Sequence, residues 1–418
     1  MLIDKEWVEG WVDAINGDDS CQNNGRQFSD SITLAIGDSR YTFKVLTGKI
    51  DHIIMDGGPL VDSVFTLAAD TEVWGKLFLP SPPAMYHDIF SLIAIGEMKF
   101  EGNIQLVFQQ LSTLAEWVRV GRELNGEIEI PPDPEYLEEW QAVGRYTNVV
   151  VDGCRHKVFY FEAGEGIPVI CQHTAGNENR QWRYLLEDRE LTKKYKFYAY
   201  DLPSHGKSDP PFEKNFFGED HLLRSAWATD FVVNFAKSLK LERPIFIGCS
   251  IGGVIALHLA ERFPELFRGF IALAGATPTY GFYHDWWIDP KVNTIMTNAG
   301  LVDSVMPPKI SRWDRQINRM CQTAHPRSLR NDLHLWGVEN SDEKRAERID
   351  ASKVPIYMYS GEFDFTCPPE HVEKSAKAIG EVNYEMLEGL GHFPMSENYD
   401  IFRPTLVRTL EDIVDVTG

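Results

Sequence analysis

The segment Ile245-Phe-Ile-Gly-Cys-Ser-Ile-Gly-Gly253 constrains this chain more than any other stretch of it. A short apolar run ends at Ile247, a Gly-Cys-Ser-Ile-Gly turn follows, and a helical pattern begins at once at Val254. The pattern is that of a strand passing directly into a helix, with a serine at the corner. Strand and helix backbones come so close there that the positions two before and two after the serine must be small, and Gly248 and Gly252 meet that requirement. A serine that merely caps the helix would ask nothing of the rest of the chain. A serine acting as nucleophile needs a base, and the base needs an acid to orient it.

Both stand downstream, in the order acid then base. The apolar run 355–359 reads as a buried strand, and Asp364 follows it on the loop of Gly361-Glu-Phe-Asp364. Catalytic groups collect at such strand ends in parallel sheets. Glu362 is the nearby rival acid. His392 is held among turn residues in Leu387-Glu-Gly-Leu-Gly-His-Phe-Pro-Met-Ser-Glu397, ahead of a terminal helix from about Tyr399. Ser250, Asp364 and His392 are therefore the expected nucleophile, orienting acid and base.

Around these motifs, apolar runs at 168–172, 196–200, 244–247, 269–273 and 355–359 alternate with helical segments, preceded by two expected edge strands at 149–151 and 157–162. That alternation predicts an α/β fold with a mostly parallel sheet covered on both faces. The first part of the chain has another texture. Ile3, Trp7, Val8, Trp11 and Ile15 share one side of a helix. Runs at 31–36, 41–46, 49–55 and 63–68 then alternate like half-buried strands, with turns at Gly37-Asp38, Thr47-Gly48 and Gly57-Gly58. They predict an antiparallel meander, followed by a helical stretch over 103–124. An acidic, proline-bearing stretch over 125–140 reads as a linker. The expected division is an N-terminal α+β domain over 1–128, a linker over 129–144 and a second domain over 145–418.

Residues 145–418 resemble the α/β-hydrolase superfamily. The resemblance rests on the GCSIGG corner, on GEFD, on GLGHFPMSE and on Asp201-Leu-Pro-Ser-His-Gly-Lys-Ser208, where His205 replaces a commoner glycine and is read as loop. It implies an oxyanion hole built from two backbone N–H groups. One belongs to Ile251. The other comes from His173-Thr-Ala-Gly-Asn177, with Ala175 as the donor by position and Thr174 as the second candidate, a threonine here replacing a usual glycine. His173 is expected to hold this loop by hydrogen bonds. The resemblance also implies a helical lid, fitting 279–350, and an apolar pocket for which His173, His284, Trp287 and Trp336 are the nominated lining. No metal and no organic cofactor is implied. Residues 1–125 resemble the sterol-carrier-protein-2-like fold, on strand 65–69, the Asp-Thr-Glu-Val-Trp74-Gly-Lys-Leu stretch and Gly-Glu-Met-Lys-Phe-Glu-Gly102-Asn. Such a domain implies an apolar groove for a lipid chain; an oligomerisation role is the alternative.

The expected function is a serine hydrolase cleaving a carboxylic ester or lactone of a bulky apolar substrate. The same triad serves a carbon–carbon bond hydrolase acting on a β-diketone-like substrate, and the fold also serves ligand-binding proteins. A formal net charge of −21 argues against nucleic acid or an anionic membrane as partner. The start MLIDKEWVEGWVDAINGDD lacks the basic and apolar regions of a signal peptide, and no apolar run approaches the ~20 residues of a membrane span. Six scattered cysteines suit a reducing compartment better than disulfides or structural zinc. The expectation is a cytoplasmic protein acting on small molecules, with a homodimer compatible with the extra domain.

Overall fold

Five strands form the sheet of the first part of the chain: β1 (Ser31–Ile36), β2 (Ser39–Leu46), β3 (Lys49–Met55), β4 (Phe65–Ala69) and β5 (Lys99–Gly102). This computed structural model describes residues 3–55, 62–135, 137–216, 218–323, 326–380 and 382–418. The Gly57-Gly58 turn lies outside the described residues. Contacts divide the chain into two units, residues 1–132 with Asp289–Arg312, and Asp133–Ile288 with Trp313–Gly418.

In the first unit the strand order is β3-β2-β1-β4-β5. Only β1, β2 and β3 make the predicted meander; β4 runs parallel to β1, with Ile32 opposite Phe65. The reason lies in β1, which is buried along nearly its whole length and so takes a partner on each edge. Helices Lys5–Gly17 and Leu111–Glu123 bring tryptophans to the core, where Trp11 Nε1 donates to Trp117 O at 2.8 Å and Trp74 Nε1 to Ala35 O at 2.9 Å. The predicted helical stretch over 103–124 is two helices, Ile104–Gln109 and Leu111–Glu123, broken at Gln110.

One expectation is corrected here. The stretch 279–350 does not belong to one lid, because Asp289–Arg312 is part of the first unit. Its helix Thr294–Ser304 lies so close to Leu111–Glu123 that a Cβ on Gly300 would sit 2.4 Å from Leu111 Cβ. Ser112 Oγ donates to Met296 O at 3.2 Å, and His87 Nε2 meets Ser304 O at 2.8 Å. The boundary also falls at residue 132, inside the expected linker.

The second unit carries an eight-stranded sheet: β6 (Val143–Val151), β7 (Cys154–Gly164), β8 (Ile167–Gln172), β9 (Tyr195–Tyr200), β10 (Ile245–Cys249), β11 (Gly269–Leu273), β12 (Ile356–Gly361) and β13 (Asn383–Leu387). The order is β13-β12-β11-β10-β8-β9-β7-β6. From β13 to β9 all pairings are parallel; β7 and β6 are antiparallel. Of the two strands expected at an edge, β6 is one and β7 is interior. The other edge is β13, which sequence reading passed over. Every residue of β10 and β11 is buried, which places the serine corner in the middle of the sheet.

His258, in the helix Ile251–Arg262 behind that corner, is fully buried between Ser225 Oγ (2.8 Å) and Asn340 Oδ1 (2.9 Å). Burial first, then the charge of Arg345, holds its imidazole down to about 3. The unfolded chain takes up this proton near pH ~6.5, the folded chain only far below it. The stability from keeping His258 neutral is therefore complete above pH ~6.5 and is lost on acidification, by about 1.4 kcal/mol per pH unit at most. Urea unfolding of wild type and His258→Asn should show the wild-type advantage shrinking between pH 6.5 and 4.5. A constant difference would contradict this account.

Candidate active site

Ser250 ends β10 and starts the helix Ile251–Arg262 with φ 59° and ψ −117°. A non-glycine residue is strained there, and the surrounding backbone holds it: Ser250 N–H donates to Leu273 O at 2.9 Å. The glycines are as small as the sequence argument required. A Cβ on Gly248 would lie 2.3 Å from Gly252 O, and one on Gly252 would lie 2.7 Å from Gln172 Cγ. Gly253 meets Gly275 across the helix–sheet contact, where a Cβ would sit 2.7 Å from Leu273 O. Gly253→Ala should therefore cost about 3 kcal/mol or more. Denaturant midpoints check this; an unchanged midpoint would mean the contact relaxes freely.

The loop after β12 supplies Asp364, fully buried, and the loop after β13 supplies His392. His392 Nδ1 lies 2.7 Å from Asp364 Oδ2. Asp364 Oδ1 accepts from Thr366 N–H (2.9 Å), Thr366 Oγ1 (2.7 Å) and Cys367 N–H (3.1 Å). Burial by itself raises the Asp364 carboxyl; the facing imidazole and these donors outweigh it and hold the group below the ordinary carboxylate range. The ionised acid fixes the proton on Nδ1 and leaves the Nε2 lone pair for a proton from a hydroxyl. His392 is tied to the serine corner through its backbone, since Cys249 Sγ meets His392 O at 3.0 Å. The link from Ser250 Oγ to His392 Nε2 is not closed as a hydrogen bond among the described residues, and such bonds commonly tighten when substrate arrives. Glu362, the rival acid, accepts from Gly389 N–H at 2.9 Å and so braces the loop leading to His392.

The two expected oxyanion donors, Ile251 N–H and Ala175 N–H, each have no intramolecular acceptor among the described residues. Thr174, the second candidate, is not available: its N–H donates to Gln181 Oε1 at 2.9 Å and its hydroxyl to the same oxygen at 3.2 Å. The loop is pinned from both sides of Ala175. Gln322 Nε2 donates to Ala175 O at 2.6 Å, and Gly176 N–H donates to Asp332 Oδ2 at 2.8 Å. Gln322 and Asp332 come from the helices Arg312–Thr323 and Pro326–His334, far along the chain. His173 is fully buried; its Nε2 accepts from Leu202 N–H at 3.0 Å, and its Nδ1 faces Thr174 O at 2.7 Å. These two contacts tie His173 to its own loop and to the segment that follows β9.

Two further carboxylates brace the site. Glu397, the last residue of the GLGHFPMSE motif, accepts from Gly391 N–H (2.6 Å) and Phe393 N–H (2.8 Å), the residues on either side of His392. Burial pushes its carboxyl up to about 8. Asp201 accepts from Asn179 N–H (2.8 Å) and Lys207 N–H (2.9 Å), and a Cβ on Gly206 would lie 2.1 Å from its Oδ2. His205 is loop, as read from the sequence, with its Nε2 2.9 Å from Asp332 Oδ2. The remaining pocket nominations, Trp287, Trp336 and His284, differ in burial. Trp287 and Trp336 are buried and donate to Phe282 O (2.8 Å) and Tyr280 O (3.3 Å), while His284 is exposed against Trp286.

Residues 167–399 match the family model of the alpha/beta hydrolase fold. The chain belongs to that family and is a hydrolase of the α/β fold. It is 26% identical over 251 residues to the AB hydrolase superfamily protein YisY of Bacillus subtilis, covering 56% of this chain and 88% of that one. It is 30% identical over 144 residues to a 2-hydroxymuconate semialdehyde hydrolase of Pseudomonas, covering 34% of this chain and 44% of the relative. Among solved structures, the enol-lactonase of Burkholderia xenovorans is similar at a TM-score of 0.53 and 19% identity, over 63% of this chain and 99% of that one. At that identity the likeness shows the fold alone. No helix among the described residues is long and apolar enough to cross a membrane.

Proposed function

We propose that the chain hydrolyses a carboxylic ester or lactone with Ser250 as nucleophile. The observation that carries this reading is the 2.7 Å pair of His392 Nδ1 and buried Asp364, set beside a serine on a strained strand-to-helix corner. His392 Nε2 takes the hydroxyl proton as Ser250 Oγ attacks the carbonyl carbon. The tetrahedral oxyanion is held by Ile251 N–H and Ala175 N–H, and Asp364 stabilises the imidazolium. The alkoxide leaves with the proton from His392, giving an acyl-enzyme. Water, deprotonated by His392, then releases the acid and restores the serine.

The likeness to a 2-hydroxymuconate semialdehyde hydrolase supports a second reading, in which the same residues assist cleavage of a carbon–carbon bond beside a carbonyl. A panel of aryl esters and lactones run beside a vinylogous 1,5-diketone separates the two. The expected result is ester or lactone turnover with slow or absent diketone cleavage. Rapid cleavage of the diketone with inert esters would overturn the first reading in favour of the second.

A further inference from the structure

A cavity of about 450 Å³ lies in the second unit between the start of β7, the 202–205 loop, residues 211–216 and 220–227, and the helix Pro326–His334. Ser250, Asp364, His392, Ile251 and Ala175 are not among its lining residues. Its volume falls in the range of small-molecule sites, roughly 300–1,000 Å³.

One wall holds an unexplained side chain. His156 is 1% exposed, and neither of its ring nitrogens has a hydrogen-bond partner. Leaving a buried polar group unsatisfied costs about 1–3 kcal/mol, so such groups call for an explanation. Burial foremost holds its imidazole down to about 4, opposed by the charge of Glu213 and aided by that of Lys214. Near neutral pH it offers one N–H donor and one lone pair. His221 Nε2, also in the lining, is likewise buried without a partner.

The charges of the lining sort themselves. Asp332 is taken up by His205 (2.9 Å) and Gly176 N–H (2.8 Å), Asp220 faces Arg330 at 3.5 Å, and Arg224 faces Glu339 at 3.4 Å. Asp152 stands exposed at the rim. Lys214 has no ion pair among the described residues, which leaves a cation without a carboxylate. Trp227 and Phe216 supply aromatic walls, the first against His156 at 5.5 Å and the second stacked on His221 at 5.4 Å.

We propose that this cavity is a second ligand site, taking a small aromatic hydroxy acid. The carboxylate answers Lys214 and His221, the hydroxyl meets one ring nitrogen of His156, accepting from its N–H or donating to its lone pair, and the ring lies against Trp227 and Phe216. A hydroxyl is the simplest group that satisfies a neutral imidazole at either nitrogen.

Isothermal titration of the full chain with 3-hydroxy-2-naphthoate tests this, with 2-naphthol and 2-naphthoate as analogues lacking one group each. The expected result is saturable binding with Kd below about 1 mM, weakened about tenfold or more by removing either group from the ligand. Lys214→Ala and His156→Phe should each weaken it by a similar factor. His156→Phe replaces an unsatisfied ring by an apolar one, so its thermal midpoint should hold or rise, which separates lost binding from lost folding. Lys214→Ala, on the surface, gives an independent variant should the first fold poorly. No saturable binding, or binding that both variants leave unchanged, would overturn the proposal. Turnover is not read in this experiment, so its failure leaves the assignment of Ser250 untouched.

Discussion

Ser250→Ala is expected to remain folded and to lose ester or lactone turnover by about 10⁴- to 10⁶-fold. The fold tolerates the change because the Ser250 hydroxyl makes no hydrogen bond among the described residues and alanine keeps the same Cβ at the same φ of 59°. The bonds that hold the corner are made by backbone, Ser250 N–H to Leu273 O and Val254 N–H to Ser250 O, both 2.9 Å. The activity is lost because no other group can form the acyl-enzyme. Cys249, the adjacent thiol, is fully buried, and burial holds it well above the ordinary thiol range, so it supplies no thiolate in exchange. Circular dichroism and initial rates on purified variant read both halves. Rates within tenfold of wild type would remove Ser250 from the mechanism.

Asp364→Asn is the second large effect, about 10⁴-fold in kcat. The direction follows from what surrounds the carboxylate. Its Oδ1 accepts from three donors, Thr366 N–H, Thr366 Oγ1 and Cys367 N–H, so an amide at this position places its oxygen there and turns its NH₂ toward His392. His392 Nδ1, 2.7 Å away, must then accept, the ring proton moves to Nε2, and the lone pair that would take the hydroxyl proton is gone. The expected signature is a fall in kcat with KM little changed and with partial recovery at high pH, where hydroxide bypasses the base. A variant with wild-type kcat would show that Asp364 does not set the tautomer.

The second unit was legible because its core strands are short, fully buried and punctuated, so apolar runs marked β8 to β12 within one or two residues. The corner glycines were legible for a different reason: close approach leaves glycine no substitute, as Gly248 and Gly252 show. What escaped is governed by partners far away in sequence. β13 reads as Asn-Tyr-Glu-Met-Leu, largely exposed, and becomes a strand only because β12 offers it an edge. β4 runs parallel to β1 because β1 needs a second partner, not because of anything within β4 itself.

The same holds at the candidate site. Ser250, Asp364 and His392 each sit in a local motif, and the structure brings the last two into contact. The residues that pin the oxyanion loop do not announce themselves, since Gln322 and Asp332 act on Ala175 and Gly176 across 147 and 156 positions. Thr174 looked available as a donor because nothing nearby suggested Gln181 as its acceptor, although a threonine in place of glycine was a visible departure. Glu397 was within reach: it closes the quoted GLGHFPMSE motif, and a buried acid five residues after a histidine in a tight loop has backbone donors to answer.

Covalent labelling with a fluorophosphonate, read by peptide mass spectrometry, tests the central claim most directly. The reagent phosphonylates only a serine whose base and oxyanion donors are assembled. The account predicts stoichiometric modification of the peptide carrying Ser250, abolished in Ser250→Ala and strongly slowed in Asp364→Asn. Absence of labelling in folded wild-type protein, or modification at another serine, would contradict it.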